Sequence, residues 1–428
     1  MSVLPMKSLA ASQAAETSAG VALRAGPLSL SFHDGDLRRV QWCDREVLRR
    51  VYGAVRDRHW GTVPGDISHL KLVAEDRSFQ VRYRREHRTQ DIHFVWEAEI
   101  VGEADGTLRF TFDGEAKSTF LRNRIGLCVL HPIRECAGRR CWTSHWDGSR
   151  QPRWFPQWVA VEQPVTGFTD LRGLTQEVEP GVRLELEFTG DAFETEDQRN
   201  WIDASFKTYS TPLRLPIPVE VQAGTRIRQS VVARLRTDHP KEFLERTTPA
   251  EADPIVIRRR GGGTCRVPEL GLGAASDGVP LREPEIERLA VLSPAHLRWD
   301  LRLAEPRWVE RLGLAAGDAG KLGAALEVAL HLPADGSGDL PAVVGQLGQL
   351  PVKLARVSVF REGQRSTLPT DLAAVRAAFG DVRVPLGSGT DGDLYSFHLQ
   401  APAPGGDYLC WSMNPQVHAT DDWSLAET

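Results

Sequence analysis

Apolar and polar residues alternate with a period of two through much of the first half of the chain. Ile92, Phe94, Trp96, Ala98 and Ile100 interleave with His93, Val95, Glu97 and Glu99. Val182, Leu184, Leu186 and Phe188 interleave with Arg183, Glu185 and Glu187. Such spacing sends one set of side chains to a buried face and the other to water, as in a half-buried strand. Asp34-Gly35 and Asp105-Gly106 separate runs of this kind and read as hairpin turns, because glycine accepts positive φ. The pattern extends from Pro27 to about Thr237 without a long helical stripe. It predicts an antiparallel β-sandwich over residues 25–245, preceded by a loose, small-residue arm over 1–24.

The texture then changes. Residues 246–265 include the string RRRGGGT (Arg258–Thr264), which reads as a flexible linker. From residue 266 short apolar runs alternate with helical stripes. Leu270–Ala275, His296–Leu303, Leu326–Leu332, Leu354–Phe360, Val382–Leu386 and Tyr408–Met413 are strand candidates. Glu283–Leu292 and the stretch carrying Leu372, Val375 and Phe379 are helical. A β-α rhythm implies parallel strands with crossover helices. Six such strands predict a (β/α)8 TIM-type barrel over 266–428. A whole barrel takes about 250 residues, so this one is expected to be incomplete, lacking about two strands. The expected fold class is therefore multidomain, β plus α/β.

Composition narrows the function. The 428 residues are 41% hydrophobic and 25% charged, with a net charge of −5, ordinary values for a globular protein. Mixed charges disfavour a nucleic-acid or membrane surface built on bulk charge. Cys43, Cys128, Cys136, Cys141, Cys265 and Cys410 are scattered, with no CxxC pair and no zinc spacing. Reduced thiols and the lack of a signal-peptide pattern point to a cytoplasmic enzyme or binding protein. No GxGxxG or phosphate loop opens a helix, and no cofactor or metal is expected.

Three groups of residues carry candidate chemistry. Glu194–Tyr209 concentrates Glu196, Asp197, Arg199, Asn200, Asp203, Lys207 and Tyr209 in one short segment. It suits the hydroxyls and carboxylates of a sugar-like ligand; the plainer alternative is a solvated loop between strands. On the second barrel strand His296, Arg298 and Asp300 share one face, with Asp300 nearest the C-terminal end. They either serve a site at the barrel mouth or fill the interior as an Arg298–Asp300 ion pair. His331 ends the third strand. Beyond the sixth, Asn414, Gln416 and His418 alternate, and Asp421 or Asp422 is placed either to orient His418 or to cap a helix over Trp423–Glu427. No GxSxG elbow or HExxH helix is present.

Several strings resemble a known family. GAVRD at 53–57, WGTVP at 60–64, FLRNRIG at 120–126, LHP at 130–132, EDQRNW at 196–201 and SFKTY at 205–209 are similar to the D-apionate lactonase family. So are LGLG at 270–273, HLR at 296–298 with Asp300, NPQVH at 414–418 and SLAET at 424–428. The resemblance implies a β-sandwich, a TIM barrel and a small C-terminal β domain, of which this chain is expected to lack the barrel end and the last domain. It implies hydrolysis of D-apionolactone to D-apionate in apiose catabolism.

Such hydrolysis needs an activated water, an oxyanion partner and a proton for the ring oxygen. The expected catalytic groups are Asp300, His418 and Glu196. His296, Arg298, Asn414, Gln416, Asp197, Arg199, Asn200 and Lys207 are expected to bind substrate at the barrel mouth, with the Glu196–Lys207 loop as a wall. The expected partner is a small sugar lactone or sugar acid. Two other readings stay open: a TIM-barrel glycoside hydrolase, and an inactive remnant that binds a carbohydrate acid.

Overall fold

A computed structural model describes residues 20–238, 267–414, 417–418 and 421–427. They form two compact units, one made of the first segment with the last two, the other of 267–414.

The first unit is built on two antiparallel sheets. One has the strand order Val21–Ala25, Leu28–His33, Asp36–Trp42, Arg45–Asp57, Phe120–Pro132, Ser205–Tyr209, Glu194–Asp197, and Val219–Val221 also pairs with Phe120–Pro132. The other runs Arg150–Trp154, Arg140–His145, Leu171–Glu179, Val182–Thr189, Arg226–Thr237, Thr107–Ala116, His93–Gly102, Phe79–Arg88, Gly65–Ala74. The expected alternation decides what each face does. Phe94, Trp96, Ala98 and Ile100 are buried in one cluster with Leu184, Leu186 and Phe188. On the opposite face, Glu185 and Glu187 meet Arg236 and Arg234 across the ladder at 3.3 and 3.0 Å. Asp34 and Gly35 have φ of 45° and 80°, the positive values that a two-residue hairpin turn requires.

Aromatic residues dominate this core. The Trp96 ring stacks on Phe112 at 4.5 Å and meets Tyr83 edge-on at 5.4 Å. Its Nε1 donates to His87 Nε2 at 2.9 Å. Burial lowers the His87 pKa to about 4, so the imidazole is neutral and can accept that bond.

The second unit is a six-stranded parallel sheet in strictly sequential order: Gly271–Gly273, His296–Arg302, Ala325–Leu332, Leu354–Arg361, Leu386–Gly389, Tyr408–Cys410. Helices Glu283–Ala290, Trp308–Lys321, Leu340–Gly348, Pro369–Phe379 and Leu394–Leu399 connect them. Sequential parallel pairing is the arrangement of a barrel wall. Leu297, Trp299 and Leu301 pack with Leu312, Ala315 and Ala319 on the helical side, while His296 and Arg298 line the opposite face. The fifth strand begins at Leu386, four residues later than its expected start at Val382. Pro385 has no N–H to give to a ladder, and pairing starts with the residue after it. No helix among the described residues is long and apolar enough to cross a membrane.

Trp96→Ala is expected to destabilise the first unit by about 3–5 kcal/mol, measured by denaturant unfolding. A loss under ~1 kcal/mol would show that the core does not depend on this ring.

Candidate active site

The strand Phe120–Pro132 lies between Arg45–Asp57 and Ser205–Tyr209. Register pairs Arg56 with Arg124, Ala54 with Gly126, and Tyr52 with Cys128. On the other edge Tyr209 pairs with Cys128, and beyond it Glu196 pairs with Lys207 and Glu194 with Tyr209. Side chains two residues apart share a face. Val51, Val55, Ile125, Leu127, Val129 and Phe206 therefore enter the sandwich core, and the alternate set emerges on the other side. There, with Trp60, Trp201 and His418, it encloses a cavity of about 310 Å³. Gly126 has φ of 155°, and a Cβ there would fall 2.4 Å from both Gln229 Oε1 and Ser210 Oγ. The cavity floor beside Arg124 depends on that missing side chain.

Charges are matched closely in this cavity. Lys207 Nζ donates to Glu196 Oε1 at 2.9 Å, with both side chains more than nine-tenths buried. Burial would raise the Glu196 carboxyl, but Lys207, Arg124 and His418 outweigh it and hold the pKa at about 2. Burial does raise the pKa of Glu194, whose Oε1 accepts from Tyr209 Oη at 2.8 Å and from the Leu213 amide at 2.6 Å. The Arg124 guanidinium lies 3.6 Å over the Tyr209 ring and 4.8 Å over Trp60. His418 Nδ1 makes a short contact with Asp203 Oδ2, and Trp201 meets the imidazole edge-on at 5.8 Å.

Of the residues expected from sequence, Glu196, Lys207 and His418 come together here. Asp197, Arg199 and Asn200 do not line this cavity, and they hydrogen-bond to nearby backbone. Asp197 is fully buried and accepts from the amides of Ala160 and Arg199 at 2.8 and 3.2 Å. Arg199 donates to the carbonyls of Pro156, Gln157 and Trp158, and Asn200 to that of Ala160. These groups satisfy the backbone of a loop that has no ladder of its own. Asp421 does not orient His418. It pairs with Arg38 at 3.0 Å and accepts from the Ser424 amide at 3.0 Å, a capping bond, and Asp203 takes the place beside the imidazole.

His296, Arg298 and Asp300 belong to the other unit, so the expected grouping of Arg298 and Asp300 with His418 is not formed within either unit. His296 Nε2 is 3.1 Å from Glu327, which Arg356 also engages at 2.6 Å. Arg298 and Asp300 approach to 3.5 Å. His331 stands between Asp300 at 3.7 Å and Asp391 at 3.8 Å. The interaction with His331 first, then the Arg298 charge, hold the Asp300 carboxyl below its ordinary range although burial works the other way. Asn414 is exposed, and Gln416 lies outside the described residues. No group of three or more His, Cys, Asp or Glu among the described residues is placed to hold a metal.

Sequence reasoning missed Arg124, Trp60 and Tyr52 as cavity residues. The signal was available for Arg124: an arginine in phase with Gly126 and Cys128 on a strand whose other phase is apolar.

Residues 8–238 match the family model described as D-apionate lactonase, N-terminal domain, and residues 270–428 match that described as D-apionate lactonase, TIM barrel domain. A D-apionate lactonase from Brucella anthropi is 31% identical over an alignment of 430 positions that covers 95% of this chain and 68% of the relative. Among solved structures, a GalM/aldose epimerase homologue from C. elegans aligns at TM-score 0.35 and 9% identity, over 52% of this chain and 100% of its own. A beta-arabinopyranosidase aligns at TM-score 0.32 and 8% identity, over 92% and 69%.

The Glu196 pKa lies below its ordinary 4.5. Its ionisation therefore contributes stability that is complete above pH 4.5 and is lost as pH falls toward 2, worth about 3 kcal/mol. Melting temperature should fall across that window, and less steeply in Glu196→Gln. Parallel curves for the two proteins would contradict the ion-pair account.

Proposed function

This chain belongs to the D-apionate lactonase family, and we propose that it hydrolyses D-apionolactone to D-apionate in the cavity of its β-sandwich. The observation that carries this reading is the Asp203–His418 pair on the wall of a cavity that also holds Glu196 and Lys207. A carboxylate on Nδ1 fixes the imidazole tautomer and leaves Nε2 to take a proton.

The steps follow from the chemistry of a ring ester. Trp60 and Trp201 line the cavity, where indole rings suit the apolar side of a sugar ring, and the Glu196–Lys207 pair offers an acceptor and a donor to its hydroxyls. His418 takes a proton from water as the water oxygen bonds to the lactone carbonyl carbon. The carbonyl oxygen becomes an oxyanion, which Lys207 stabilises. The bond from carbon to the ring oxygen then breaks, and His418 returns its proton to the departing oxygen. The product acid ionises at neutral pH, so each turnover consumes one water and releases one proton.

A second placement of the same reaction has its own support. His331, bracketed by Asp300 and Asp391, stands near the C-terminal ends of parallel strands, where barrel enzymes keep their reacting groups. There Asp300 would activate water, with Arg298 as the partner of the carbonyl.

Proton release in a pH-stat separates the two. His418→Ala and Asp203→Asn are expected to lower kcat by about 10²- to 10⁴-fold, and Asp300→Asn by less than about tenfold. The reverse order would move the chemistry to the parallel sheet.

A further inference from the structure

We infer that Arg124 is a carboxylate-recognising residue, and that the sandwich cavity binds open-chain sugar acids more tightly than uncharged sugars of the same size. The inference rests on the proposed lactone opening for the identity of the acid, though not for the binding itself.

Three cationic side chains, Arg56, Arg124 and Lys207, line the cavity against the single carboxylate of Glu196, and Lys207 already holds that carboxylate at 2.9 Å. Asp203 is engaged with His418. Arg56 donates to the carbonyls of Trp60 and His418. Arg124 is held less closely, in a long ion pair. Its side chain is only 8% exposed, and its Nε has no hydrogen-bond partner. Its nearest carboxylate is Glu194 at 3.9 Å, beyond hydrogen-bond reach, with an oxygen already taken by Tyr209 and the Leu213 amide. A buried guanidinium in this position is costly until an anion meets it.

Geometry says which anion. The guanidinium carbon lies over the rings of Tyr209 and Trp60 at 3.6 and 4.8 Å, and its N–H groups are the donors it offers a ligand. A planar fork of N–H groups matches the two oxygens of a carboxylate. Ring opening creates that group from a neutral lactone, so the product gains an interaction the substrate lacks. The enzyme should be inhibited by its own product, and by hydroxy-acids of similar length.

Calorimetric titration of the full chain with D-apionate and with the neutral alditol of D-apiose tests this. The acid should bind the wild-type protein more tightly than the alditol. Arg124→Gln should weaken acid binding about 10- to 100-fold and leave alditol binding within about threefold. Equal affinity of the wild-type protein for acid and alditol would overturn the inference, as would unchanged acid affinity in the variant. If Arg124→Gln fails to fold, Arg124→Lys keeps the charge and loses the fork, and acid affinity should fall about tenfold; an unchanged value overturns the inference equally. His418→Ala separates the two proposals. It should retain acid binding while losing turnover, and full turnover in that variant would refute the hydrolysis reading while leaving Arg124's role standing.

Discussion

The pleat of one strand organises the first unit. Phe120–Pro132 has neighbours on both edges, and a pleated strand must send alternate side chains to opposite faces. Ile125, Leu127 and Val129 lock one face into the sandwich core. With that face fixed, Arg124, Gly126 and Cys128 have only the other side to occupy. A slip of one residue would bury the arginine among aromatic rings and expose the apolar set. The core therefore fixes the position of the cavity wall, and the aromatic cluster around Trp96 does so at a distance from any reacting group.

Polar side chains in this wall are held in place by pairing. Glu196 stays ionised in a buried setting because Lys207 is bonded to it and other positive charges stand close. Asp197 and Arg199 spend their charge on the loop that carries Trp201, and Asp421 and Arg38 join the segment after His418 to the sheet. These ion pairs do not meet the cavity, yet they position residues that do. The sandwich unit thus separates its charges into a supporting set and a facing set, and Arg124 is the facing cation left to an incoming group.

Much of the architecture was legible in the sequence because period-two alternation is a direct consequence of backbone geometry. The sandwich strands follow from it; the hairpin at Asp34-Gly35 follows from glycine's tolerance of positive φ, and the sequential parallel strands from short apolar runs alternating with helical stripes. Crossover helices were expected between the parallel strands, but Trp308–Lys321 and Leu340–Gly348 were not delimited; in the first, small residues such as Ala315, Ala316 and Ala319 carry the buried stripe weakly. The site was harder to read. A dense run of charged residues at Glu194–Lys207 pointed to the right stretch, but sequence cannot say which of its members satisfy the local backbone and which face a cavity. Asp197, Arg199 and Asn200 do the first, and Glu196 and Lys207 the second. Asp203 replaced Asp421 beside His418 because the partner is set by tertiary packing across more than two hundred residues, which proximity along the chain does not convey.

A crystal structure of the full chain soaked with D-apionate is the most direct measurement of where the reaction takes place. The account predicts electron density between Trp60 and Trp201, with the carboxylate on the N–H groups of Arg124 and a hydroxyl near His418. Density confined to the parallel sheet, beside Asp300 and His331, with the sandwich cavity holding only water, would contradict it.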